Sequence, residues 1–243
     1  LPEPSTLRKL GYRLEQAGFG LATGLIRALG PDRSSALSGA LWRQIAPFNK
    51  RHARAQAQMR ASLPDASDGE IAANLAAMWD NLGRTSAEAF HIGALLAGRD
   101  RFAIDDATFA AVARAKVEGG VFVSLHQGNW ELAAPLLDAL GLPVAGVYQR
   151  LQNPYVEAMA ARARAPFYRL GLHSKGPETA RRLMRVLADR GTVTIMADLR
   201  DLSGLAVPFF GRPAPSTIFP ALLARGRRVP LFAGMVLREN GAT

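Results

Sequence analysis

The 243-residue chain contains no cysteine. Disulfides, thiolate metal sites and a cysteine nucleophile are therefore excluded. Histidine is scarce, at four residues, and none has a paired metal-ligand spacing. Aromatic side chains make up only 7%, and no nucleic-acid-binding motif accompanies them. The serine-hydrolase pattern Gly-x-Ser-x-Gly is absent. Long apolar runs are missing too. The best candidate, Ala17–Gly30, is interrupted by Arg27 and flanked by Glu15. It is shorter than the ~20 residues that a membrane span needs. It has no charged n-region and no clear cleavage site, so it does not read as a secretory signal. Acidic residues are in deficit, 20 against 30 Lys and Arg, for a net charge of +10. That balance favours anionic partners: nucleic acid, an anionic membrane face or an acidic carrier protein.

What is present is an apolar content of 49%, enough for one sizeable α/β domain. The first hundred residues read as helical. Leu7–Leu29 and Ser34–Ile45 carry apolar residues at helical spacing, separated by a Gly30-Pro31-Asp32 break. Asn49–Asp65 is a basic, polar helix. Asp68–Leu96 is another, with Ser67 or Asp68 as its cap and Glu70 in its first turn. From about Phe102 strands and helices alternate. "FAI" is expected to be a short strand, followed by helix 105–116, strand 121–125 and helix 130–140. Strand 143–148 and helix 154–165 come next, then helix 177–190 and strand 192–197, and last helix 216–225 and strand 229–237. Such alternation predicts a mainly parallel central sheet with helices on both faces, preceded by an N-terminal helical region. The whole of 1–243 is expected to be one domain, with its α/β core over 101–243. Strand 229–237 would need a partner, so the chain is expected to continue past its last residue. In Leu205–Gly226, Gly211, Pro213 and Pro215 predict an irregular apolar loop.

Candidate chemistry gathers at strand ends, where ligands bind in open parallel sheets. In "VFVSLHQGNWELAAPLL", residues 121–137, His126 ends a strand and Glu131 lies in the first turn of the next helix. An offset of five would put the two side chains about 140° apart on one helix. A turn between them lets the ring face back to the carboxylate. Glu131 would then accept from one ring nitrogen and leave the other as a base. Gln149 and Arg150 follow the next strand, and Asp198, Arg200 and Asp201 follow "TVTIMA". A base, a carboxylate and two arginines are thus expected on one edge.

In these residues the sequence resembles the bacterial lipid A late acyltransferases, within the wider glycerolipid acyltransferase superfamily. "HQGNWE" matches the family's His-x4-acid motif, and "WDNLGRTSAEAF" looks like its upstream helix motif. "VYQRLQNPYVE" resembles its Tyr-x-Arg…Asn-Pro segment. "MADLRD" with "VPFFGRPAPSTIFPALLARGRRVPLF" resembles its later block. The ordered motifs run from Trp79 to Phe232. The resemblance implies acyl transfer from acyl-carrier protein, or acyl-CoA, to a hydroxyl of a lipid A precursor. No cofactor or metal is implied. His126 would be the general base and Glu131 its orienting acid. Arg150 would bind a phosphate or carboxylate or support the oxyanion, and Asn129 would face the oxyanion. Asp198 and Arg200 would contact substrate. The expected location is the cytoplasmic face of an inner membrane, held peripherally on an anionic surface by Leu14–Leu29 and basic residues. The alternatives are another membrane-lipid acceptor, a thioesterase or esterase, and a non-catalytic basic binder of membrane or nucleic acid.

Overall fold

The computed structural model describes residues 5–239 and 241–242. Helix α1 runs from Thr6 to Ile45 and is kinked at Gly30 (φ 75°), ahead of Pro31. It packs along α3 (Asp68–Glu88), with α2 (Lys50–Ser62) beside them. The α1–α3 crossing is close because both helices put glycine there. A Cβ on Gly83 would lie 2.5 Å from the Ser38 carbonyl oxygen, so no larger residue fits unless the backbones part. The Ser38 hydroxyl donates to the Gly83 carbonyl at 2.7 Å. Ser67 and Glu70 form the capping box at the start of α3. The Ser67 hydroxyl and N–H hold the Glu70 carboxyl below its usual range.

After α4 (Ile92–Ala97) and α5 (Asp106–Glu118) the chain enters the sheet at β1 (Gly120–Ser124). It continues through α6 (Ala133–Ala139), β2 (Val144–Tyr148), α7 (Pro154–Arg164), β3 (Leu172–Ser174), α8 (Pro177–Ala188) and β4 (Thr192–Met196). The strands β5 (Arg200–Phe209) and β6 (Arg212–Ser216) follow, then α9 (Phe219–Arg227) and β7 (Leu231–Ala233). The five-stranded sheet has the order β3-β2-β4-β1-β7 and is parallel throughout.

Period-two alternation assigns the strand residues to two cores. Val121, Ala145, Val193 and Ile195 face α8 and α9, meeting Leu183, Leu187 and Leu223. Phe122 and Val144 face the other way, onto Val112 of α5 and Leu137 of α6. Each fully buried side chain of this size contributes about 1.5–3 kcal/mol through water removed from its surface. With both faces covered, the strands read as unbroken apolar runs rather than alternating ones. The predicted fold class is therefore the observed one.

Three local expectations are corrected. Residues 102–104 form no strand. Leu172–Ser174, too short and polar to signal one, does. The segment expected to be irregular is a two-stranded antiparallel ribbon, β5–β6. Its prolines, Pro208, Pro213 and Pro215, are tolerated because a two-stranded ribbon is all edge, and an edge residue can spare its N–H.

Candidate active site

The sheet's central pair of strands builds the site. Strands β1 and β4 are neighbours in register, with Ser124 opposite Met196. His126 and Asp198 each lie two residues beyond those partners, so parallel chains carry them out side by side. The Asp198 carboxylate accepts from the His126 backbone N–H at 2.8 Å and meets ring Nδ1 at 2.7 Å. An ionised carboxylate only accepts, so this contact fixes the proton on Nδ1 and leaves Nε2 as the basic nitrogen. Nε2 has no hydrogen-bond partner among the described residues. Trp130 packs edge-on against the ring, centroids 5.4 Å apart. About a third of each side chain of the pair is exposed.

The turn after His126 is held from below by α3. Asn81, Thr85 and Glu88 recur at helical spacing and form one polar face turned inward. The Asn81 amide and Thr85 hydroxyl both donate to the Gly128 carbonyl, at 2.9 and 3.0 Å. Gly128 has φ 54°, and a Cβ there would collide with the Val236 carbonyl oxygen, so the position requires glycine. Glu88 is completely buried. Its two oxygens accept four hydrogen bonds: from the Ser35 hydroxyl at 2.5 Å, the Asn129 amide at 2.6 Å, and both terminal nitrogens of Arg238 at 2.7 Å. Arg238 also donates to Asn81 and Thr85.

The other expected site residues are distributed differently from the expectation. Glu131 does not meet His126; its carboxylate is held bidentately by Arg164 of α7, at 2.7 and 2.9 Å. That contact raises the Arg164 pKa above its ordinary value. Burial, and then the nearby Glu131 charge, push the Tyr168 phenol up to about 12, so it stays protonated. Asn129 is buried, and its amide N–H₂ is committed to Glu88 rather than facing an oxyanion; its side-chain oxygen is unpartnered among the described residues. Arg150 opens into a separate cavity of about 320 Å³, with Tyr148, His173 and Arg182. Arg200 starts the ribbon, opposite Ser216. Asp201 is folded into a local turn by the Ser203 hydroxyl and N–H, which lower its pKa. No group of three metal-ligating side chains occurs among the described residues.

His126 opens instead onto a groove of about 1490 Å³ between α2, α3 and the sheet edge. Its walls include Trp79, Trp130, Arg51, Arg54 and Arg84. Glu88 lies within the quoted segment WDNLGRTSAEAF and the α2 arginines within the basic helix 49–65, but neither these nor Arg238 is given a site role by the sequence. A signal for the inward face was the polar spacing of Asn81, Thr85 and Glu88 inside an otherwise amphipathic helix.

A buried carboxylate that loses its cation is left with an uncompensated charge. Arg238→Met should therefore lower unfolding stability by about 3–5 kcal/mol. Pairing it with Glu88→Leu should recover part of the loss. Urea unfolding of the single and double variants measures both; a single variant as stable as the parent would contradict the role given to the pair.

No curated protein matches the chain. The family model described as bacterial lipid A biosynthesis acyltransferase matches residues 4–242. With the match spanning nearly the whole chain, and a carboxylate-held histidine opening onto a large groove at the carboxyl edge of a parallel sheet, the protein belongs to the bacterial lipid A biosynthesis acyltransferase family.

Proposed function

We propose that this acyltransferase moves an acyl chain from a carrier thioester to a hydroxyl of a lipid A precursor, with His126 as the general base. The observation that carries the reading is the Nδ1–Asp198 contact, which leaves Nε2 as the basic nitrogen of a ring that lines the groove. An alkyl hydroxyl attacks a thioester slowly unless its proton leaves as the new bond forms. Nε2 takes that proton, a contribution of about 10²–10⁴ in rate. The tetrahedral oxyanion then collapses, the C–S bond breaks, and the imidazolium returns the proton to the departing sulfur. The products are an ester and a free thiol. Asp198 holds the tautomer and offsets the imidazolium charge, so it acts through the ring. Glu131 acts at one remove, holding α7 through Arg164 against the segment that carries Trp130. No acyl-enzyme is required.

Two exposed apolar features support a membrane-bound working position. Leu7, Leu10, Leu14, Leu21 and Leu25 form a stripe on α1, from 58% to 83% exposed. Leu202, Leu205, Phe209 and Phe210 are exposed on the β5–β6 ribbon. Contiguous apolar surface of this kind marks an interaction site. Both features attach to the carboxyl edge of the sheet. The Asn153 amide, beyond β2, donates to the Tyr12 carbonyl and Glu15 of α1. The ribbon begins two residues after Asp198. Among the described residues no helix is long and apolar enough to cross a membrane. In this reading the protein sits peripherally on the anionic cytoplasmic face of the inner membrane, with the His126 edge toward the lipid.

Purified protein supplied with labelled acyl-carrier protein and a lipid A precursor should give acylated lipid, detected by mass spectrometry. Folded His126→Ala protein should give at least a hundredfold less, by the scale of general-base catalysis. Release of free fatty acid at the same rate with and without the lipid would make the protein a thioesterase instead.

Binding to anionic vesicles should fall in high salt but persist in part. Each basic group near the surface contributes about 1 kcal/mol, and this part is screened. The apolar contacts are not screened in this way. Leu10→Ser/Leu14→Ser should remove much of the salt-resistant fraction in flotation. Protein left wholly in solution with anionic lipid at low salt would refute peripheral binding.

A further inference from the structure

The geometry points to Arg51 and Arg54 of α2 as a binding subsite for a substrate phosphate group. Its connection to catalysis rests on the acyl-transfer reading. Arg51, Arg54 and Gln58 recur every three to four residues, so one face of α2 forms a wall of the groove that His126 enters. Helix α3 lines the same groove with Ala73, Ala76 and Ala77. These short side chains take up little of the groove.

The charges in the groove are unequal. Five arginines line it against two carboxylates, Asp80 and Glu239. Asp80 is already engaged, by Arg84 and by Arg43. Arg238 is committed to Glu88. Arg51 and Arg54 have no ion-pair partner among the described residues.

The placement of Arg51 also runs against the helix. The first turn of α2 carries no acidic residue. A helix start bears partial positive charge and favours anions, so Lys50 and Arg51 there lower the helix's own stability. Local disagreement of this kind is expected at functional sites. A bound phosphate reverses it, meeting both guanidinium groups and the helix field together.

The start of α2 is held in place for such a role. His52, between the two arginines, accepts from the Trp79 indole N–H at 3.0 Å and stacks on that ring. Trp79 in turn stacks on Trp42 of α1, centroids 5.9 Å apart. The arginines thus project from a braced turn. The ligand class is a phosphate ester, carried either by the lipid acceptor or by the phosphopantetheine arm of the acyl carrier.

Equilibrium dialysis of the full chain against radiolabelled inorganic pyrophosphate tests the subsite directly. Binding should saturate, and Arg51→Gln/Arg54→Gln should weaken it by about tenfold per arginine, the scale of a hydrogen bond to a charged group. Arg181→Gln/Arg185→Gln, which removes the same charge from α8, should leave it nearly unchanged. Non-saturable binding, or equal loss in both double variants, would overturn the proposal. Steady-state kinetics then separates the sources. A raised KM for the lipid with kcat retained assigns the phosphate to the acceptor; a raised KM for the acyl carrier assigns it to the donor. Both KM values unchanged would overturn the subsite as a substrate site. If the parent protein makes no ester at all, the acyl-transfer reading fails, while dialysis still reports on the subsite.

Discussion

A carboxylate with no access to water must find its hydrogen bonds in the protein, and Glu88 finds all four. Half-satisfied, it would cost several kcal/mol. Fully satisfied, it fixes the relative positions of everything that donates to it. Those donors come from α1, from the turn after β1 and from the segment after β7. The same Arg238 that neutralises Glu88 reaches Asn81 and Thr85. These two hold the Gly128 carbonyl. One buried charge thus closes the N-terminal helices onto the sheet edge and sets the turn from which His126 emerges.

The second constraint is strand order. The chain leaves β1, builds β2 and β3, and returns to insert β4 between β1 and β2. That insertion makes β1 and β4 neighbours, so two strand ends 72 residues apart deliver a histidine and an aspartate to one point. The ribbon that begins two residues after Asp198 carries exposed leucine and phenylalanine. Any surface that engages it lies close to the His126–Asp198 pair along the chain.

Much of this was legible in the sequence. The β-branched run 121–125, the Gln127-Gly128-Asn129 turn and the apolar spacing of α3 sufficed for the fold class and for His126 at a strand end. Asp198 was likewise visible as a strand-end residue. Its pairing was not, because local pattern says nothing about which strands become neighbours. Glu131, near His126 in sequence, was the natural choice of partner, but its carboxylate turns to Arg164, 33 residues on. The contact of Asn129 is hidden for the same reason: Glu88 sits 41 residues earlier on a helix. The ribbon was hidden by its prolines, which act as breakers inside a sheet but not on an edge.

The proposed mechanism makes His126 and Asp198 one unit. A double-mutant cycle on acyl transfer tests it most directly, comparing kcat/KM for His126→Ala, Asp198→Asn, Glu131→Gln and the two double variants that contain His126→Ala. In that mechanism Asp198→Asn alone lowers the rate by about 10²–10⁴, as a misplaced ring tautomer would. Adding it to His126→Ala should change almost nothing, because groups acting as a unit are strongly non-additive. A near-normal rate for Asp198→Asn, with Glu131→Gln as damaging as His126→Ala and no further loss in their double variant, would give the partnership to Glu131 and contradict the account.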